Sequence, residues 1–171
     1  MAAFAASGAG AQPQPAPAKK VLVAYFSRSG NTRAVADHIK SLTGGDMFEI
    51  QVAKPYPEEY HACTEVAKKE KEDNARPTLK TKVENMASYD VIFIGYPNWW
   101  GTMPMPILTF LESYDFAGKK IALFATSGGS GFGKTVSRLE GSVDKSAEFV
   151  SEKLLNRAGK AEIESWLKSW M

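Results

Sequence analysis

The chain has 171 residues, 44% of them hydrophobic and 23% charged, which suits one α/β domain with a core of useful size. Its net charge of +2 gives no basic field for a nucleic acid, and its single cysteine, Cys63, excludes an intrachain disulfide or thiol pair. No apolar run reaches the roughly 20 residues that a bilayer span needs, and His38 and His61 have no ligand-spaced neighbours, so neither a membrane span nor a metal is expected.

Residues 1–18 carry no charged side chain and are almost all Ala, Gly, Pro, Gln and Ser. Such a segment cannot bury enough surface to fold alone and reads as a disordered tail. A signal peptide fits poorly, because the basic start is missing and the apolar stretch is weak. The remnant of a processed export or lipid-anchored segment is the alternative. The expected location is therefore the cytoplasm, with export after processing as the second reading. The folded domain is expected over residues 19–171.

Val21–Phe26 is a continuous apolar run and reads as a buried strand. Asn31–Leu42 places Val35, Ile39 and Leu42 at helical spacing and stops at Gly44-Gly45. Met47–Val52 alternates and reads as a second strand. After the breaker Lys54-Pro55-Tyr56-Pro57, a charged helix is expected from about Glu58 to Asp73, most of its charge on a solvated face. Val91–Gly95 is a third strand, and Pro104–Tyr114 reads as a helix with Pro in its first turn. Lys120–Ala125 is a fourth strand, and a helix begins at Lys134–Leu139. Glu148–Leu155 is a polar last strand, and Lys160–Trp170 closes the chain with Ile163, Trp166, Leu167 and Trp170 on one side. Five alternations of strand and helix predict a parallel sheet with right-handed crossovers and helices on both faces, a three-layer α/β sandwich.

Three loops follow the C-terminal ends of apolar strands, the edge where open parallel sheets bind ligands. In the first, Ser27, Arg28, Ser29, Gly30, Asn31 and Thr32 offer three hydroxyls, an amide and helix N-terminal N–H groups, with no lysine. An anion suits that set; a plain helix cap needs only one of the hydroxyls. In the second, Pro97, Asn98, Trp99, Trp100, Gly101 and Thr102 place two adjacent indoles in a loop. Stacking on a flat aromatic ligand is one reading; one Trp capping the core while the other covers a helix is the other. In the third, Ser127, Gly128, Gly129, Gly131 and Phe132 form a glycine-rich stretch in which backbone can approach a ligand closely.

The strand–Ser-x-Ser-Gly-Asn-Thr–helix opening and the run Pro97-Asn-Trp-Trp-Gly-Thr-Met-Pro-Met-Pro106 resemble the flavodoxin family, particularly a bacterial subfamily with both motifs. The resemblance spans about Lys20 to Met171. It implies the sheet order 2-1-3-4-5 and non-covalent FMN at the switch point. By the same resemblance, residues 27–32 would hold the phosphate, and residues 97–102 and 127–132 would flank the ring. The Trp100–Gly101 peptide would be the one able to rotate toward the flavin. No side-chain acid or base is implied, so no catalytic residue is assigned.

Gly128–Thr135 also satisfies the phosphate-loop pattern G-x-x-x-x-G-K-T, which would make the chain a nucleotide triphosphatase. Neither Val91–Gly95 nor Glu148–Leu155 ends in an acid that could hold magnesium, so the metal half of such a site is missing. Lys134 then reads as solvated. Tyr56, Tyr60 and Arg76 either border a ligand or dock the extra segment between strands two and three. Cys63, Trp166 and Trp170 read as packing residues.

Two redox roles fit: an electron carrier serving a partner protein or small acceptor, and an NAD(P)H-dependent quinone or nitro-compound reductase. The family's carriers are acidic, whereas this chain has a pI near 8.6. No G-x-G-x-x-G nicotinamide motif occurs. A third reading treats the fold as a binding module without redox turnover.

Overall fold

The computed structural model describes residues 19–126 and 141–171. In chain order the elements are β1 (Val21–Tyr25), α1 (Asn31–Thr43), β2 (Asp46–Glu49), α2 (Tyr60–Glu72) and a 3-10 turn (Met86–Ser88). They continue with β3 (Val91–Pro97), α3 (Met105–Glu112), β4 (Lys120–Thr126), β5 (Glu148–Leu154) and α4 (Lys160–Lys168). The tail expected at 1–18, the third loop and the helix expected from Lys134 lie outside the described residues.

The five strands form one sheet in the order β2-β1-β3-β4-β5, every pair parallel. The apolar runs are continuous because both faces are covered. Leu22, Ala24, Ile92, Ile94, Ile121 and Leu123 face a cluster that includes Ile107, Phe110 and Leu111 of α3. Val21, Val23, Tyr25, Phe93 and Phe124 point the other way, onto Val35 and Ile39 of α1 and Ile163, Trp166 and Leu167 of α4. Period-two alternation within each strand thus divides the core into two halves. Trp166 is buried and Trp170 packs on the same half, as core residues should.

Two edges depart from expectation. The second strand ends at Glu49 rather than Val52, after which only the Ile50 N–H continues to the Tyr25 carbonyl at 2.7 Å. β1 offers no partner beyond that point, so the chain turns away and Val52 bridges Leu79 antiparallel. In β5 a bulge shifts the register between Ile121 and Ala122 of its neighbour, and the strand carries Ser151, Glu152 and Lys153 on the sheet edge. Polar residues there blunt an edge that would otherwise pair with another chain.

Consecutive strands leave β1 in opposite directions, β2 to one side and β3 to the other. The loops after β1 and β3 therefore diverge and open a crevice at the C-terminal edge. The Phe26 N–H still reaches the Gly95 carbonyl at 2.9 Å, which fixes the floor of that crevice.

Candidate functional site

The crevice opens into a cavity of about 880 Å³, in the size range of cofactor sites. The first loop contributes Arg28, Ser29 and Asn31, and the second contributes Pro97, Asn98, Trp99 and Trp100. Seven of the residues picked from the two loops are thus brought to one space. Gly30, Thr32, Gly101 and Thr102 do not line it, and Ser27 lines a smaller space that shares Arg28 and Trp99 with it. Ser127, Gly128, Gly129, Gly131 and Phe132 lie outside the described residues, as does the Gly128–Thr135 pattern.

In the first loop, Gly30 turns the chain with φ +88, a value an L side chain rarely adopts. That turn brings the Ser27 hydroxyl under the start of α1, where it accepts from the Gly30 N–H at 3.1 Å and, more distantly, the Arg33 N–H at 3.4 Å. Both acceptor lone pairs of Ser27 are so engaged, and its proton is left to donate. The capping and anion readings of this serine are therefore compatible. Thr32 is buried, and its hydroxyl shares one hydrogen bond of 2.9 Å with Thr126. Whichever of the two donates, the pair keeps one further proton, and Thr126 lines the cavity. Arg28 turns aside: its guanidinium donates to the Glu58 carbonyl at 2.8 Å and lies 5.7 Å from the Tyr60 ring centroid.

The second loop is a tight turn. Trp99 and Thr102 exchange backbone hydrogen bonds of 2.8 and 3.2 Å, with Trp100 at φ +55 and Gly101 at φ +74 between them. Two successive positive φ values make this a type I′ turn, in which glycine suits the second position and tryptophan costs about 1–2 kcal/mol at the first. The two indoles then part. Trp99 lies edge-on against Phe26 and Tyr56, with centroids 5.3 and 5.2 Å away. Trp100 is 46% exposed, lies against α2, and donates from Nε1 to the Thr64 carbonyl at 3.1 Å. One indole joins the core and the other covers a helix, while both still line the cavity. Thr102 beneath them is buried, and its hydroxyl has no hydrogen-bond partner among the described residues.

Helix α2 supplies the opposite wall with Tyr60, Cys63, Thr64 and Ala67, spaced i, i+3, i+4, i+7 on one face. His61, Glu65, Thr126, Asn156 and Arg157 complete it. Sequence reasoning passed over most of these. The helical stripe was readable but was hidden by the charge around it, and Asn156-Arg157 was findable as the loop after the last strand. Cys63 is buried on that stripe, so its packing role puts it at the cavity wall. The segment's three doubtful residues divide. Tyr60 borders the cavity, Arg76 docks on α3 through a 2.9 Å ion pair with Glu112, and Tyr56 docks beside Trp99 while its hydroxyl donates to Glu70. Burial, that hydrogen bond and the Glu70 charge together hold the Tyr56 hydroxyl firmly protonated.

The chemistry of this set suits an anion and a flat ring. It offers neutral hydroxyls, an amide and a helix N-terminus at one end, and indoles with backbone polar groups at the other. Among the described residues no group of three His, Cys, Asp or Glu could hold a metal ion, and no helix is long and apolar enough to cross a membrane.

Comparison with known proteins agrees with this geometry. The protein-family model described as Flavodoxin matches residues 20–170. The fold is similar to that of a candidate flavoprotein from Bacteroides eggerthii at TM-score 0.75 and 36% identity, over 88% of this chain and 97% of that one. A second, from Bacteroides uniformis, matches at TM-score 0.75 and 34% identity, over 88% and 98%. A flavoprotein from Lactobacillus acidophilus solved in complex with FMN matches at TM-score 0.72 and 25% identity, over 90% and 99%. With its sheet order, its switch-point cavity and a family match over nearly the whole described domain, the chain belongs to the flavodoxin family.

Proposed function

We propose that the chain binds FMN non-covalently in the switch-point cavity and passes electrons through it to a partner protein or small acceptor. The observation that carries this reading is the joint placement of Ser29 and Asn31 at a helix N-terminus and of Trp99 and Trp100 across the same 880 Å³ space. The Lactobacillus acidophilus relative, solved with FMN, supports the choice of flavin.

Bound FMN supplies the electron chemistry. The chain's own residues bind and orient. The first-turn N–H groups of α1 and the free proton of Ser27 suit a phosphate dianion without a salt bridge. The Thr32–Thr126 pair ties the phosphate end to the strand from which the third loop departs. Trp99, fixed by Phe26 and Tyr56, offers a rigid apolar wall that excludes water from one side of the ring. Ser27, Ser29, Asn31, Asn98 and Trp100 are the contacts we assign, with Ser127, Gly128, Gly129, Gly131 and Phe132 completing the site by family resemblance.

The test is a flavin titration followed in the visible band, with riboflavin as the phosphate-free control. FMN is expected to bind at least about tenfold more tightly than riboflavin; equal affinities would remove the phosphate assignment. Failure of both to bind would overturn the reading.

The reductase alternative is favoured by the extent of the cavity toward Tyr60, which is 64% exposed, and Arg157, where an aromatic acceptor or a nicotinamide has room. Stepwise reduction separates the two. A populated one-electron state marks a carrier; rapid NADPH oxidation without one marks a reductase. The reading places the protein in the cytoplasm, which cell fractionation tests.

A further inference from the structure

Helix α2 overhangs the second loop and touches it at three points. The Trp100 Nε1 donates to the Thr64 carbonyl at 3.1 Å, the Lys68 ammonium lies 5.5 Å from the Trp100 ring centroid, and the Lys71 ammonium donates to the Trp100 carbonyl at 2.6 Å. The first two contacts hold the ring; the third holds the peptide. That peptide sits between two left-handed residues, at φ +55 and +74, in a turn that a tryptophan does not favour by itself. A trans peptide is planar, so a carbonyl turned to Lys71 sends the Gly101 N–H to the opposite side. Among the described residues nothing lies within 4 Å of the place a Cβ on Gly101 would occupy, so that side of the turn is open.

We propose that Lys71 is a positioning residue: by holding the Trp100 carbonyl it fixes the Trp100–Gly101 peptide at the cavity mouth, and that orientation sets how readily the bound flavin accepts its first electron. The proposal rests on the FMN reading above. When the ring takes one electron from a reductant and one proton from solvent, a bare acceptor nitrogen becomes an N–H donor. A peptide N–H suits the acceptor and a peptide carbonyl suits the donor. A carbonyl tied to an ammonium is withheld from that exchange, so the clamp lowers the first potential. The positive charge of Lys71 alone would raise it. The two effects have opposite signs and are separable. Lys68 approaches the same indole with the same charge and no bond to the carbonyl, which makes it the charge control.

Lys71→Met, Lys68→Met and Lys71→Arg are made in the full chain. In the protein without flavin, the carbonyl-carbon resonance of Trp100 is expected to move upfield in Lys71→Met, which loses the hydrogen bond to that oxygen, and to stay near the parent position in the other two. With FMN bound, the first potential of Lys71→Met is expected to exceed that of Lys68→Met by about 59 mV, a tenfold change for one electron, while Lys71→Arg keeps the parent value. An unmoved Trp100 carbonyl resonance in Lys71→Met, or equal downward shifts of potential in Lys71→Met and Lys68→Met, overturns the proposal. If the parent chain takes up no FMN, the function reading and the potential claim fall together, while the carbonyl resonance still decides whether Lys71 holds the peptide.

Discussion

The two cavity-lining loops are built by opposite means. The first is held mostly from within: the Ser27 hydroxyl accepts from backbone N–H groups at the start of the helix that follows it, across three and six residues. The second takes its shape from elsewhere in the chain. Its carbonyl is held by Lys71 and its indole by Thr64, 29 and 36 residues away, and its other indole sits between Phe26 and Tyr56. A locally determined loop survives changes elsewhere in the fold, whereas a loop held at a distance responds to them. The second loop is therefore the place where this fold can adjust the wall of its cavity.

Removing the anchor of the second loop is the most severe way to break that contrast. Trp99→Ala is expected to cost about 3 kcal/mol, toward the low end for a large aromatic because the ring is only partly buried. Urea unfolding measures it. A loss below about 1 kcal/mol would show that the turn stands without its aromatic seat, making it as self-sufficient as the first loop.

The next largest effect is expected where the first loop does depend on a distant residue. Thr126→Val leaves the buried hydroxyl of Thr32 without its 2.9 Å partner, at a cost of about 2 kcal/mol. Replacing Thr32 with Val as well removes the orphaned group and should restore most of that loss. The double-mutant cycle reads the coupling directly, and additive losses would mean that the two hydroxyls do not act as a pair.

The same contrast decides what the sequence could disclose. The shape of the Ser-Arg-Ser-Gly-Asn-Thr loop was legible because it follows from local geometry: a buried strand, a glycine turn and a helix N-terminus in succession. The sheet was legible for a similar reason, since runs such as Val91–Gly95 are apolar on both faces only in a covered parallel sheet. The order of the strands came from family resemblance rather than from periodicity. The path of the second strand was misjudged because the alternation continues through Ile50, Gln51 and Val52 after β1 has ended, and Val52 pairs instead with Leu79. The α2 wall stayed hidden for an energetic reason. Its cavity stripe of Tyr60, Cys63, Thr64 and Ala67 is weakly apolar, and Lys71 contacts the Trp100 carbonyl across a separation that no local pattern records.

A smaller effect sharpens the local half. Ser27→Ala removes the acceptor of the Gly30 N–H and should cost about 1 kcal/mol of stability. Because the same hydroxyl keeps a proton for an anion, FMN binding should weaken while riboflavin binding stays unchanged. Equal weakening of both flavins would show that the serine only holds the turn.

The smallest effect tests how α2 itself is held against the second loop. Glu70 accepts from the Tyr56 hydroxyl, which packs on Trp99. Burial raises the Glu70 pKa above 4.5, and the Tyr56 hydrogen bond only partly offsets it. A carboxyl raised on folding contributes stability that is full below its unfolded value and is lost as pH climbs through the folded one. Glu70→Gln keeps an acceptor for Tyr56 but cannot ionise. At pH 4 the variant and the parent should melt together. At pH 7 the variant should be the more stable, by less than about 1 kcal/mol because solvent screens a half-exposed group. Melting curves at the two pH values check this. A variant less stable at pH 7 would mean that the charged hydrogen bond to Tyr56 outweighs the burial of Glu70. The support that α2 gives the second loop would then carry a charge-assisted bond behind Trp99, in addition to the one Lys71 makes in front of it.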